Sequence, residues 1–320
     1  MMLRKLLLLC IFAAAWLQIG AIRIPGVVHI NGRACRNLSL IASGYRMRFR
    51  KDGVSVSFSG GGRFLTAELM RRRITWNGMP VMLGYPVITH RGSIYVSDSD
   101  WRSTLSLLFF PRSLRAHRIA VITLDAGHGG SDQGAAGRIS REKDITLKLT
   151  KRVAAILQAC RYRVHLTRTG DAAVPLKTRA VLQRNRRSDL FISIHVNAAR
   201  DRSVSGVETY CLTPADAPSS NGKPELGRNL GNIFDANNFS LACRIQSALR
   251  RRTGAVDRGV KRARFAVLRD ISAPGVLIET GFISNPEEEK RLNDPAHLEK
   301  IARGIAEGIV AYHVNLPRSR

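Results

Sequence analysis

Two histidines and a glutamate stand where apolar segments of the sequence end. His128 lies between glycines, His195 follows the apolar run 190–194, and Glu279 follows the run 275–278. Because α/β sheets bind ligands at the carboxyl ends of their strands, we expect these side chains to converge at one sheet edge. A buried carboxylate is costly unless it is paired or bound to a cation. Nitrogen and oxygen donors with an open position therefore indicate a divalent metal, and catalytic zinc in particular.

A further carboxylate is available in the segment Arg141-Glu142-Lys143-Asp144, at the start of a predicted helix. Asp125 either accepts a hydrogen bond from a metal-bound imidazole or simply forms the turn before His128. Taken alone, a histidine at a strand end is more often an ordinary core side chain than a ligand. A phosphate-binding glycine loop is the alternative for the turn 125–130, but it has neither a GxGxxG pattern nor a P-loop lysine.

The elements that must position these residues alternate between strand and helix from residue 119 onward. This alternation is typical of an α/β fold with a mixed, largely parallel sheet and helices on both faces. Strands are predicted at 119–124, 163–167, 190–194, 206–212 and 275–278, and helices at 145–160, from Pro175, at 237–252 and at 295–312.

Residues 22–114 follow a different pattern, with short alternating runs between glycines and one helix-like segment at 98–108. Alternation with period two predicts strands and hairpins. We therefore expect a small β-rich (α+β) accessory domain over 22–114 and the catalytic domain over 115–320. The basic run Arg71-Arg72-Arg73 is either a solvated face or a patch that docks a polymer.

Residues 1–21 have the pattern of a secretory signal peptide. Arg4-Lys5 precedes the apolar run 6–17, and the small residues Gly20-Ala21 follow it. The run is shorter than the ~20 residues that span a bilayer. We expect an exported protein of the periplasm or cell envelope that contacts the membrane only transiently, through this signal.

The charge of the chain is unusual. Lys and Arg total 51 against 24 Asp and Glu, which gives a net charge of +27. Such a field suits nucleic acid, anionic lipid or an anionic wall polymer, and export argues against nucleic acid as a partner. The cysteines beyond the signal are sparse and form no CxxC pair, so we expect free thiols, with one disulfide as the alternative. They are Cys35, Cys160, Cys211 and Cys243.

With these motifs in place, the sequence resembles the zinc-dependent N-acetylmuramoyl-L-alanine amidases of the type 3 catalytic domain. The resemblance covers about residues 119–313. It is carried by DAGHGG at 125–130, REKD at 141–144, SIHVNA at 193–198 and IETGFISN at 278–285, which occur in the family's order. Each motif is short, but the ordered set is specific.

The resemblance implies one Zn²⁺ held by His128, Glu142 and His195, with Glu279 as the catalytic glutamate. It also implies a mixed six-stranded sheet and a peptidoglycan substrate, which is cleaved between N-acetylmuramic acid and L-alanine of the stem peptide. An envelope-bound activator is a possible partner. Further candidates for substrate contacts are Asn197 in the third motif and two arginines that precede the last strand, Arg264 and Arg269.

Two other functions stay open at this point. A zinc peptidase acting on stem peptides would be favoured by a His-x-x-Glu pair, but Ser131 stands three residues beyond His128. A catalytically silent wall-binding protein would keep the fold without turnover. The segment 213–235 lies where related amidases carry groove loops or an autoinhibitory helix, and we expect it to lengthen the substrate groove.

Overall fold

The computed structural model describes residues 26–109, 114, 118–220 and 227–317. The predicted signal peptide lies outside the described residues, as do residues 110–113, 115–117 and 221–226. Within the described part of the chain, no helix is long and apolar enough to cross a membrane. The four described cysteines are free thiols, as predicted.

From residue 119 onward each predicted strand and helix is present, and the structure adds an unpredicted strand at Asp257–Ala263 and short helices at Ala266–Arg269 and Pro286–Leu292. The strands are β1 (Val28–Ile30), β2 (Arg33–Asn37), β3 (Arg48–Asp52), β4 (Ser55–Gly60), β5 (Arg63–Glu68), β6 (Arg73–Trp76), β7 (Met79–Met82), β8 (Ile88–His90), β9 (Ser93–Ser97), β10 (Val121–Ala126), β11 (Arg163–Leu166), β12 (Leu190–Asn197), β13 (Val207–Leu212), β14 (Asp257–Ala263) and β15 (Gly275–Phe282). The helices are α1 (Leu38–Gly44), α2 (Asp98–Asp100), α3 (Ser106–Phe109), α4 (Glu142–Ala159), α5 (Leu176–Asn185), α6 (Asp235–Thr253), α7 (Ala266–Arg269), α8 (Pro286–Leu292) and α9 (Pro295–Val314), with a π-helical turn at Trp101–Leu105 and a 3-10 helix at Leu230–Phe234.

The predicted mixed sheet of six strands is present, in the order β11-β10-β12-β15-β13-β14. All neighbouring pairs in it are parallel except β13 and β15, which are antiparallel. Helices cover both faces: one hydrophobic cluster joins α4, α6 and α9 to the sheet, and a second joins α5 and α7 to the opposite face. The α/β prediction is confirmed.

The β-rich N-terminal region is joined to this sheet. Strands β7 to β3 continue it as an antiparallel array, and β7 pairs in parallel with β14 through Val81 and Val260. The remaining strands form a separate four-stranded sheet, β1-β2-β9-β8. Buried side chains of the N-terminal region, among them Phe58 and Trp101, belong to the same cluster as the α4 side of the α/β region. The boundary at residue 114 therefore separates two sequence patterns that share one core.

Candidate metal centre

Three side chains from three different elements meet near the carboxyl ends of β10 and β12. His128 lies in the turn that follows β10, His195 is the sixth residue of β12, and Glu142 is the first residue of α4. One donor atom from each lies within 4.8 Å of the other two. The Nε2 of His128 is 3.2 Å from Glu142 Oε2, and the Nδ1 of His195 is 2.9 Å from Glu142 Oε1. These are the three residues that the sequence brought forward as ligands.

The glycines of this region leave room for the rings. A Cβ at position 127 would lie 2.4 Å from Cε1 of His195, and a Cβ at position 134 would lie 2.6 Å from Oε2 of Glu142. His128 itself has a φ of +60°, a conformation that costs a non-glycine residue energy and is often retained at functional sites. In the sequence, glycines only flank His128. The structure shows that they also keep space between the rings and the carboxylate.

Glu142 is buried, with a relative exposure of 4%. Its Oε2 accepts a hydrogen bond from the amide of Ala135 at 2.8 Å, and its Oε1 accepts one from the amide of Val196 at 3.0 Å. Burial by itself would raise the pKa of Glu142, but its hydrogen bonds to His128 and His195 and their charges outweigh burial and hold the pKa well below its usual range. The carboxylate is therefore ionised and fixed in place.

The outer nitrogen of the first histidine has a partner that sequence reasoning missed. His128 Nδ1 lies 2.9 Å from Oδ2 of Asp132, and such a carboxylate orients a ligand imidazole. Burial lowers the pKa of His128, but contacts with Glu142 and Asp132 outweigh it and raise the pKa above its usual value. A His–x–x–x–Asp spacing within a turn was the signal that could have pointed to this pair.

Asp125 does not contact a histidine, so its suggested role as the partner of a ligand imidazole is wrong. It is fully buried and accepts hydrogen bonds from Thr167, Ser193 and Arg179 at 2.6 to 2.7 Å. Arg179 also donates to the carbonyl oxygens of Ala126 and His128, at 2.6 and 2.9 Å. This buried ion pair anchors the turn that carries His128.

Glu279 lies next to the cluster on β15. It is the register partner of His195 on one side and of Glu208 on the other, so the three side chains lie on the same face of the sheet. Among the described residues, its Oε2 is buried and has no hydrogen-bond partner. Burial raises the pKa of Glu279 well above its usual value, and the negative charges of Glu142 and Glu208 raise it further. Such a carboxyl group is suited to exchanging a proton.

Glu208 is a further buried carboxylate, and the sequence did not single it out. It is 1% exposed and accepts hydrogen bonds from Asn197 at 2.9 Å, Tyr210 at 2.7 Å and Arg258 at 3.0 Å. It also forms a short ion pair with Lys261. Glu208 and Glu279 thus face each other across β13 and β15, one fully paired and the other with an unpartnered oxygen.

The three predicted substrate contacts have other surroundings in the structure. Asn197 uses both ends of its amide within the protein, donating to Glu208 and accepting from the amide of Ala198. Arg264 donates to the carbonyl oxygens of Pro214 and Ala217, each at 2.9 Å, and so fixes the 213–220 segment. These contacts explain both residues as structural groups.

Arg269 is exposed at the end of α7. The following residue, Asp270, accepts a hydrogen bond from Arg184 near the carboxyl end of α5. Because β14 is parallel to β13 and β13 is antiparallel to β15, α7 follows the end of β14 at the edge where β15 begins, whereas Glu279 is the fifth residue of β15. This position argues against the predicted substrate contact of Arg269.

The described part of the 213–235 segment lies against the N-terminal region. Asp216 accepts a hydrogen bond from Ser99 at 2.8 Å, and the carbonyl oxygen of Ser219 accepts one from Arg72 at 3.0 Å. A short 3-10 helix at Leu230–Phe234 closes the segment, and the sequence did not predict it. The segment therefore joins the two regions, a role that its Pro, Ser, Gly and Asn composition did not indicate.

Two imidazole nitrogens and a carboxylate form a donor set that suits zinc with a free coordination position. Glu279 lies beside these three residues, as the register partner of His195, and is not needed as a fourth ligand. Close glycines at 127 and 134 and an ionised, doubly anchored Glu142 fit a pre-formed cation site. The arrangement can hold a metal and move a proton beside it.

Comparisons with known proteins indicate the family of the chain. The family model described as N-acetylmuramoyl-L-alanine amidase matches residues 122–311, more than half of the chain. The amidase AmiA of Escherichia coli (strain K12) is 32% identical over 228 residues, covering 63% of this chain and 79% of that relative. An endolysin of Bacillus phage SPP1 is 40% identical over 191 residues, covering 59% of this chain and 64% of that protein.

Solved structures with the same fold are also amidases. The N-acetylmuramoyl-L-alanine amidase from Clostridium difficile 630 matches with a TM-score of 0.53 and 30% identity, over 62% of this chain and 99% of that chain. The CwlD amidase from Clostridioides difficile, solved in complex with the GerS lipoprotein, matches with a TM-score of 0.52 and 31% identity, over 60% of this chain and 98% of that chain. The chain therefore belongs to the N-acetylmuramoyl-L-alanine amidase family of peptidoglycan hydrolases.

Proposed function

We propose that this enzyme hydrolyses the amide between N-acetylmuramic acid and L-alanine with the help of one Zn²⁺ held by His128, Glu142 and His195. The observation that carries the proposal is the meeting of their three donor atoms within 4.8 Å, beside a glutamate on the next strand whose Oε2 is buried. Family membership supports the choice of substrate bond.

The residues around the cluster support a catalytic metal rather than a purely structural one. Three protein donors leave a coordination position open, whereas structural zinc sites are closed by four protein ligands. When bound there, Zn²⁺ would supply a Lewis acid and make water easier to ionise near neutral pH. Asp132 would hold the imidazole of His128 in one orientation and tautomer.

We assign the proton transfers to Glu279. Its Oε2 is buried and has no hydrogen-bond partner among the described residues, and burial and the charges of Glu142 and Glu208 raise its pKa, which favours a carboxyl group that both takes up and releases a proton. Oε2 would accept a proton from the water that attacks the carbonyl carbon. It would then deliver that proton to the amine of L-alanine as the carbon–nitrogen bond breaks. Glu208, held by its cations, remains ionised and keeps this region of the site negative.

We also propose that the protein acts after export, in the periplasm or cell envelope. The sequence pattern of residues 1–21 and the peptidoglycan substrate of the family support this location. We propose an envelope-bound activator as a partner, because the similar CwlD amidase was solved in complex with the GerS lipoprotein. Binding of the zinc-loaded protein to candidate envelope proteins, together with its activity in their presence, tests this part separately.

The decisive test of the function is digestion of purified sacculi by the mature, zinc-loaded protein, followed by mass spectrometry. Release of intact stem peptides with a free L-alanine amine is expected. Shortened stem peptides on intact muramic acid would instead identify a peptidase, and binding without any released product would identify a silent wall-binding protein. Glu279→Gln should lower turnover about 10²- to 10⁴-fold with zinc retained, whereas His195→Ala should lose zinc.

A further inference from the structure

The solvent-facing side of strands β3 to β7 forms a broad groove. The groove is separate from the cluster formed by His128, Glu142, His195 and Glu279. Its cavity volume is about 980 Å³, within the range of ligand-binding clefts. We define the sheet groove by its lining residues: Arg50, Asp52, Ser55, Val56, Ser57, Phe64, Thr66, Ala67, Glu68, Arg71, Arg72, Arg73, Thr75 and Met82. The inward-facing side chains of the same strands fill the hydrophobic core, so the groove has a rigid floor.

The floor of the sheet groove carries polar side chains. Ser57, Thr66 and Thr75 are register partners on β4, β5 and β6, and they form a row of hydroxyl groups across the sheet. Arg50 continues this row on β3, opposite Ser57. Phe64, which is 50% exposed, also lines the groove and offers an aromatic face to a ligand.

The groove has a net positive charge, because four arginines line it against two carboxylates, Asp52 and Glu68. Arg50, Arg71 and Arg73 are exposed and make no salt bridge or side-chain hydrogen bond within the described part of the chain. Arg72 differs, because its guanidinium donates to the carbonyl oxygens of Leu83 and Ser219. The predicted basic run therefore divides into one structural arginine and two that are available to an anion.

We propose that the sheet groove binds a peptidoglycan strand through the carboxylates of its stem peptides and the hydroxyl and acetamido groups of its sugars. The free guanidinium groups complement carboxylates, the hydroxyl row can exchange hydrogen bonds with sugars, and Phe64 can stack on a sugar ring. This inference rests on the proposed function, because the substrate of the catalytic cluster is the same polymer. A second contact on the polymer would keep the enzyme bound between cuts.

The test measures co-sedimentation of the full mature protein with purified sacculi. The triple variant Arg50→Gln/Arg71→Gln/Arg73→Gln should bind about tenfold more weakly than the wild type at low salt. This difference from the wild type should shrink as salt rises, because exposed charges are screened. The control, Lys148→Gln/Lys151→Gln/Arg161→Gln, removes the same charge from exposed positions on and just after α4, beside the opposite edge of the sheet. It should bind like the wild type.

Hydrolysis of a small soluble muramoyl-peptide separates this proposal from the proposed function. The groove variant should cleave that substrate at the wild-type rate, while its cleavage of sacculi falls. If the wild type fails to cleave the soluble substrate, the catalytic proposal fails and the binding result still stands. Equal binding of sacculi by groove variant and control would overturn the groove proposal. So would groove-dependent binding to phosphatidylglycerol vesicles or duplex DNA combined with unchanged binding to sacculi.

Discussion

Glu279 and Glu208 provide a sharp test of the electrostatics of the site. Both are glutamates that face each other on neighbouring strands, but Glu208 has two cationic partners and Glu279 has a buried oxygen without a partner among the described residues. We predict that Glu279→Gln stabilises the metal-free protein at pH 8, because it removes an unpaired buried carboxyl group. Glu208→Gln should destabilise it at the same pH, because Lys261 and Arg258 lose their shared anion.

The magnitude follows from linkage. Glu279 has a raised pKa in the folded state, while an unfolded glutamate titrates near ~4.3. The folded protein therefore retains a proton that the unfolded chain releases, and its stability falls as the pH rises above ~4.3 and through the folded pKa. At ~1.36 kcal/mol per pH unit, the cost by pH 7 cannot exceed roughly 4 kcal/mol. A gain of about 2 kcal/mol in the glutamine variant would raise Tm by roughly 4–8 °C.

Urea titrations followed by circular dichroism, with a chelator present and from pH 4 to pH 8, measure the free energy of unfolding directly. The free energies of unfolding of Glu279→Gln and of the wild type should differ little at pH 4, where both side chains are neutral. The difference should grow as the pH rises. Saturating zinc should reduce the difference by placing positive charge beside the carboxylate. A difference independent of pH, or a glutamine variant less stable at pH 8, would refute the electrostatic reasoning.

Three further predictions concern the support of the cluster. Asp132→Asn should weaken zinc binding about 10- to 100-fold in competition titrations, since it removes the anion that orients the neighbouring imidazole; unchanged affinity would exclude that role. Gly134→Ala should reduce the zinc content measured by metal analysis, because its Cβ would lie 2.6 Å from Glu142 Oε2 and its φ is +65°. Arg179→Met should lower the free energy of unfolding by about 3–5 kcal/mol, because Asp125 would keep a buried charge without its cation; a loss below ~1 kcal/mol would contradict this.

Buried hydrogen bonds join the N-terminal region to the α/β region. Arg262 of β14 is 2% exposed and donates to the carbonyl oxygen of Ser103 at the π-helical turn and to the hydroxyl of Thr104. Asp100, also buried, accepts hydrogen bonds from Ser97 and from the amide of Tyr85. The pairing of β7 with β14 places the sheet groove on the same continuous sheet as His195 and Glu279. The contacts of Arg262 stabilise this junction.

Local sequence patterns alone determined much of this protein. The apolar runs that end in His195 and Glu279, and the glycines around His128, are readable because strand ends and turns impose their residue preferences over a few positions. Strands that run parallel must end at the same edge, so convergence of these side chains followed from the order of elements. The placement of Glu142 beside the histidines followed from the family resemblance.

Contacts between distant segments were decided only by the tertiary structure. Asp125 and Asp132 lie in one short segment, and only the fold directs the first to Arg179 and the second to His128. Glu208 and Glu279 become neighbours through the register of β13 and β15, which no local pattern fixes. The pairing of β7 with β14 likewise depends on packing across the whole chain. Local preferences act over a turn or a strand, whereas register, burial and charge pairing are set by all the surfaces that pack together.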